Sequence, residues 1–343
     1  MSNPDVAFIA RDPNWLAHRY DPQHDAIHFL KLDRAGHRAA TFVTDEYIPA
    51  TAPKVVLRRD ESVAEARKDA GPLHFIFHSG FCGSTLLARA LDIEGVSMGL
   101  KEPVIFNDIV GWRRRGGEVR SVAQVLDDSL ALLARPFSPG EAVIVKPSNI
   151  LNAFAPAIMG MRPDTRAIFM YAPLKIFLGS VARKRLEGRL WVRKTFAGLA
   201  KDGVVNLGFD SDQYFGQTDL QIAAAGWLAQ QDLFAKLIER FGHDRVQTLN
   251  SEAFVAAPRQ ALTSLNTLFA LGMNPDQLAD VTDGPAFSTH SKTGGTFGAS
   301  DRAIDQTDGA NIHREEIDQV AIWAEAVAIA AGIRLSLEST LLA

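Results

Sequence analysis

The sequence predicts an α/β protein: a three-layer parallel sheet carrying a phosphate-binding strand, loop and helix, with a small β-containing extension ahead of it. Two observations point there first. Short apolar, β-branched runs at 75–77, 95–100, 142–146 and 166–171 alternate with helical segments of ten residues or more. Several of these runs stop at polar groups, Ser79, Lys101-Glu102 and Lys146, and the strand ends of an open α/β sheet are where such folds hold ligands. The third is the turn Ser79-Gly80-Phe81-Cys82-Gly83, whose two glycines sit between the first strand and a helix opened by Ser84-Thr85. Glycines serve where backbone bends sharply or approaches a ligand closely, and a helix start offers bare N–H groups and the positive end of its dipole. Residues 79–85 are therefore a candidate anion site.

Taken in order, residues 1–70 form the extension. Segment 26–32 alternates as a strand, 39–44 reads as a second with His37 and Arg38 near the turn, and 62–69 as a short helix. No chemistry attaches to it. The main domain spans 71–343. After its first strand and loop, Leu86, Leu87, Ala90 and Leu91 face a helix inward. The second strand, 95–100, ends at Lys101-Glu102-Pro103, with Pro103 at the permitted first position of a helix from 104. Helix 121–134 and strand 142–146 follow, and Ser148 or Asn149 caps a helix over 150–159. Strand 166–171 breaks at Pro173 into a helix through Ser180 and Arg183. The rest is mostly helical: 222–241, a last strand at 245–249, then helices over 258–271 and 314–331. Segment 283–308 is too polar for core and reads as a surface loop able to order over a ligand.

Composition narrows the function. Of 343 residues, 47% are hydrophobic and 22% charged, an ordinary globular balance. A net charge of −4 argues against nucleic acid or an anionic membrane as partner, so any anion must be held locally. One such concentration exists, 183–194, where Arg183, Lys184, Arg185, Arg189, Arg193 and Lys194 face one glutamate. The single cysteine, Cys82, excludes an internal disulfide and a multi-cysteine metal site, and within the loop it reads as a small packing residue. The N-terminus lacks a basic stretch followed by an apolar core, and no segment approaches about 20 apolar residues, so a cytoplasmic protein without a membrane helix is expected.

The loop is not a Walker A motif, because Ser84 stands where the lysine belongs and His78 where the first glycine belongs. Cys82-Gly83-Ser84-Thr85-Leu86-Leu87 resembles instead the 5′-phosphosulfate loop of the sulfotransferases. Three further stations follow in that family's order: Lys101-Glu102-Pro103, the Tyr171-Ala172-Pro173 to Ser180 segment, and a late basic segment containing His290-Ser291-Lys292. The resemblance covers most of residues 73–300. It implies a P-loop-like fold, 3′-phosphoadenosine 5′-phosphosulfate as co-substrate, no metal, and a small-molecule, glycan or peptide acceptor. By the same resemblance, residues 79–85 hold the phosphosulfate, Ser180 holds the 3′-phosphate and Lys292 reaches over it.

This chain departs from the pattern twice. The family's arginine before the proline is Tyr171 here, which leaves Arg183 and Lys184, three and four residues past Ser180, as replacement cations on one face. A lysine common near the position of Phe81 is absent, which leaves Lys101 and Lys146 to offset charge on the leaving phosphate. Glu102 matches the glutamate base of the glycan- and tyrosine-directed branches. Phe106, Trp112, Trp191 and Phe215 are the aromatics available to line a pocket. Two other classes compete. A P-loop small-molecule kinase needs a Walker lysine and a Mg²⁺-binding aspartate, neither of which has an obvious place. A non-catalytic nucleotide-binding protein on the same scaffold would account for the missing cations.

Overall fold

The computed structural model describes residues 6–284, 287, 313–337 and 340–342. Strands β1 (Trp15–Asp21), β2 (Ala26–Lys31) and β3 (Lys54–Arg58) form an antiparallel sheet in that order. Strands β4 (Leu73–His78), β5 (Ser97–Lys101), β6 (Ala142–Lys146), β7 (Ala167–Tyr171) and β8 (Val246–Asn250) form a parallel sheet in the order β5-β6-β4-β7-β8, flanked by helices. Strands β4 to β7 are buried along their whole length, which is why apolar residues predominate on both faces, with His74, His78, Ser97, Lys101 and Lys146 as the buried polar exceptions. The α/β class and the β-containing extension are as the sequence predicts.

Two compact units make up the chain: Met1–Ile76 with Thr85–Ala167 and Phe269–Gln277, and Phe77–Ser84 with Ile168–Leu268 and Leu278–Ala343. In the first, the N-terminal segments are tied down by charge. Arg135 is buried and donates to five backbone carbonyls, those of Ile9, Ala10, Asp12, Trp15 and Leu132, at 2.6–3.3 Å. Desolvation lowers its pKa to about 10, so it remains a cation at neutral pH and every carbonyl it meets is a charge-assisted acceptor. Arg34 pairs with the fully buried Glu141 and, at 3.0 Å, with Asp92. Arg59 joins Asp25 to Asp128. Close backbone packing also matters here: a side chain at Gly99 of β5 would run into the carbonyl oxygen of Ala88.

The second unit is built around aromatic rings. Phe234, on the helix Asp219–Phe241, stacks on Phe169 of β7 at 3.8 Å and meets Phe77 at 5.7 Å. Trp227 of the same helix donates its indole N–H to the Ala172 carbonyl at 3.0 Å, so this large ring is buried without an unmet donor. Thr218 and Gln221 start the helix with a capping box. The helix Arg314–Ala331 spans the range its periodicity predicts.

Some elements differ from expectation for local reasons. Segment 39–44 is not a strand. Asp33 caps a helix, Arg34–Ala39, by accepting from Gly36 N–H at 2.8 Å, and β2 finds its second partner in β3. Helix 150–159 divides into a 3-10 stretch, Asn149–Phe154, and an α-helix, Ala155–Met161. Pro156 lacks the N–H that would join them, and Ser148 takes the N-cap position without a side-chain bond. Val104, not Pro103, stands at the N-cap of Ile105–Arg114.

His37 is buried edge-on to Phe137, with ring centroids 5.6 Å apart, and neither ring nitrogen has a hydrogen-bond partner. Burial, then the charges of Lys101 and Arg135, pushes its pKa down to about 3. Below the ordinary value of about 6.5, the unfolded chain takes up a proton that folded His37 refuses. Stability is therefore full above that value and is lost as pH falls from it towards 3. His37→Phe keeps the ring contact and removes the proton site. Thermal unfolding across pH 8 to 4.5 is expected to show a shallower acid fall in Tm than the wild type.

Candidate functional site

The chain leaves β4 at His78 and turns at once. Ser79 N–H and the Cys82 thiol both donate to the Met170 carbonyl, at 3.1 and 3.2 Å, and Gly80 N–H donates to His78 Nδ1 at 3.1 Å. Backbone φ is +91° at Gly80, +52° at Phe81 and +81° at Gly83. Three left-handed residues within four make a sharp turn, and a bulky side chain such as Phe81 seldom accepts that conformation. Its ring is held in place by Trp191 at 4.9 Å and Phe177 at 6.0 Å, and Lys184 Nζ stands 5.9 Å from its centroid. Trp191 also closes on Gly80, where an added Cβ would lie 2.7 Å from the indole Cη2. A cavity of about 10 Å³ beside Ser79, Phe177, Trp191 and Gln230 has room for one water at most. Ser84 and Thr85 are buried and begin the helix Ser84–Ala90.

Trp191 and Lys184 belong to the basic stretch singled out above, most of which forms the helix Arg185–Lys201. Ser180 is half-buried on the helix Leu174–Arg183, whose last residue, Arg183, is exposed. Lys184 pairs with Glu187 at 3.5 Å. Tyr171 is a core residue in this unit, edge-on to Trp227 at 6.4 Å, and burial raises its pKa. That packing is the physical reason an aromatic rather than a charged side chain stands at this position. Lys292, with His290 and Arg302, lies outside the described residues.

In the first unit, β5 and β6 run in parallel register with Lys101 opposite Lys146. Glu102 is the first residue past β5. Its φ is +53°, and its N–H donates to the Lys146 carbonyl at 2.6 Å. The left-handed backbone turns the chain out of the strand at this residue. The Glu102 carboxylate forms an ion pair with the Lys146 ammonium, whose side chain is only 2% exposed. Lys146 Nζ also lies 5.1 Å from the centroid of the Phe42 ring, a cation–π distance. Phe42 in turn meets Tyr47 edge-on at 5.4 Å.

Lys101 is engaged elsewhere. Its Nζ donates to the Arg38 carbonyl at 3.0 Å, and burial, followed by repulsion from Arg89, lowers its pKa to about 8 against the opposing pull of Asp92. The structure thus brings Glu102 and Lys146 together, turns Lys101 to a backbone carbonyl, and stands Lys184 over Phe81. Of the aromatics named from the sequence, Phe106 is core, Trp112 meets Tyr20 at 5.6 Å, Trp191 touches the loop and Phe215 is exposed. Sequence reasoning missed Phe42 and Tyr47 altogether. They lie some 60 residues before Glu102, in a segment without regular structure that overlaps 39–44, which reads from its sequence as a strand.

The fold and these residues define a parallel α/β protein with a left-handed glycine turn after a central strand and a lysine–glutamate pair at two neighbouring strand ends. No protein-family model and no curated protein matches the sequence. Among solved structures, the chain is similar to a sulfotransferase domain from the Synechococcus PCC 7002 olefin synthase, at 14% identity over 72% of this chain and 95% of that one, TM-score 0.41. It is similar to a sulfotransferase domain from the curacin biosynthetic pathway, at 12% identity over 78% and 99%, TM-score 0.42. Sulfotransferase STF9 from Mycobacterium avium matches at 12% identity over 75% of this chain and 79% of that one, TM-score 0.43. No helix among the described residues is long and apolar enough to cross a membrane.

Gly80→Ala places a methyl against Trp191 on a backbone that disfavours it. The expected loss is about 2 kcal/mol or more, read as a fall in Tm with a shift in tryptophan emission; an unchanged Tm would mean that Trp191 yields freely.

Proposed function

We propose that the protein is a sulfotransferase that moves a sulfuryl group from 3′-phosphoadenosine 5′-phosphosulfate to a hydroxyl or amine, with Glu102 as general base. The observation that carries this is the placement of Glu102: a left-handed residue at a strand end, fixed through its own N–H and paired with a buried lysine. Holding a residue in that backbone region costs energy and is most often seen where a side chain must be aimed. A carboxylate at a strand end is a group that can accept a proton from an acceptor.

The donor supplies an activated sulfuryl group with a phosphate leaving group. The residues present are compatible with its anionic end. Ser79 and Gly80 N–H groups are used internally, and the phosphosulfate is assigned to the turn from Phe81 and the helix start at Ser84-Thr85. Lys184, over Phe81, takes the role of the cation that the loop itself lacks, and Ser180 and Arg183 are assigned to the 3′-phosphate. Glu102 removes the acceptor proton as the acceptor oxygen or nitrogen bonds to sulfur and the bond from sulfur to the phosphate oxygen breaks. Protonation of Glu102 releases Lys146 from its pair and frees a cation at this strand end. Lys101, held by a carbonyl and by burial, supports the strand end, and Lys292 is assigned to the late segment over the donor.

Thermal stabilisation by 3′-phosphoadenosine 5′-phosphate without Mg²⁺ is expected, and a shift only with ATP and Mg²⁺ would replace this reading with a kinase. Glu102→Gln is expected to keep the same nucleotide-induced shift while transfer from labelled donor across an acceptor panel falls by about 10²-fold or more. Unchanged transfer would remove Glu102 from the mechanism. Lys146→Met leaves a partly buried carboxylate alone and is expected to lower both transfer and Tm.

A further inference from the structure

His78 is the last residue of β4 and stands where a Walker A loop would have its first glycine. The transfer chemistry gives it no part. Its side chain is buried, and Nδ1 accepts the Gly80 N–H at 3.1 Å. Gly80 is itself buried and left-handed, so its N–H needs a partner within the protein, and the side chain two residues back supplies it. Asn and Asp make this contact at turns, from a side-chain acceptor to the N–H of residue i+2. The imidazole has the same reach, because Nδ1 is bonded to Cγ as the Asn Oδ1 is. A ring nitrogen accepts only when it carries no proton, so the bond requires the neutral ring with its proton on Nε2.

The turn is pinned on either side of this bond. Ser79 N–H and the Cys82 thiol share the Met170 carbonyl, at 3.1 and 3.2 Å. Between them the chain passes through Gly80 and Phe81, at φ +91° and +52°, and His78 fixes the first of the two. We propose that His78 is the positioning residue of the donor loop: an uncharged acceptor that holds the Gly80 N–H and shapes the turn without setting a negative charge beside the phosphosulfate. This rests on the reading of residues 79–85 as the donor loop. Asp at this position would make the same bond and bring a carboxylate into the loop. Asn would make it without the charge. Leu would leave a buried N–H unmatched, which favours an open turn. Shape and charge are therefore separable at one residue.

Cys82 is the single cysteine of the chain and is fully buried in the turn, so its labelling by iodoacetamide reports opening of the loop. The full chain and the variants His78→Asn, His78→Asp and His78→Leu are labelled, and each is titrated with 3′-phosphoadenosine 5′-phosphate by calorimetry. His78→Asn is expected to stay within about threefold of wild type in labelling rate and in affinity. His78→Asp labels as slowly but binds the nucleotide about tenfold more weakly or worse, through repulsion. His78→Leu labels about tenfold faster and binds weakly as well. His78→Leu matching wild type in both readings, His78→Asn behaving as His78→Leu does, or His78→Asp binding as tightly as His78→Asn would each overturn the positioning role. Should His78→Leu fail to fold, the other two variants decide: slow labelling in both with weak binding in His78→Asp alone supports the role, and equal affinities overturn it. If wild type binds no nucleotide while labelling follows the expected order, the donor reading falls and the assignment of the turn to His78 stands.

Discussion

The register of β5 and β6 is the constraint on which the first unit's candidate chemistry depends. Parallel pairing sets Lys101 opposite Lys146, so the next residue, Glu102, emerges where its N–H meets the Lys146 carbonyl and its carboxylate meets the Lys146 ammonium. One residue is thus held at both ends by the same neighbour, through backbone and side chain. A slip of one residue would carry Glu102 into the strand and break both links. The left-handed φ at Glu102 is a local expense of this arrangement, sustained by the surrounding hydrogen bond and ion pair.

The second unit is held together by rings. Tyr171 belongs to an aromatic layer with Trp227 and Phe169, so a guanidinium there would have to be buried without an obvious counter-charge. At the loop, Phe81 stands between Phe177 and Trp191 with Lys184 across its ring. Lys184 lies at the junction of the helices Leu174–Arg183 and Arg185–Lys201. The ring contacts make the loop's shape dependent on Trp191, more than a hundred residues further along the chain.

The N-terminal segments are more than a cover. Arg135, satisfied by five carbonyls, fastens residues 9–15 to the end of the helix Val119–Leu133, and Arg34 fastens the next helix to Glu141 and Asp92. Buried arginines anchored in this way are expensive to leave unpaired, so they specify one arrangement of the segments they join. Residues 41–48, which set Phe42 beside Lys146 and Tyr47 against Phe42, follow the helix Arg34–Ala39 directly.

Much of this was legible beforehand. The apolar runs of β4 to β7, the glycine turn, the polar strand ends and the long helices are local patterns, and burial on both faces leaves a sequence little choice but to be mostly apolar. The sequence by itself also singled out Glu102, Lys101 and Lys146 as strand-end groups and Trp191 and Lys184 as parts of one basic stretch. Their partners were decided by the tertiary structure alone: that Lys146 rather than Lys101 pairs with Glu102, that Lys184 lies over Phe81, and that Phe42 and Tyr47 adjoin the pair. Strand register, irregular segments and long-range ring contacts leave no periodic trace in a chain, because they are set by which surfaces meet after folding rather than by the spacing of residues along it.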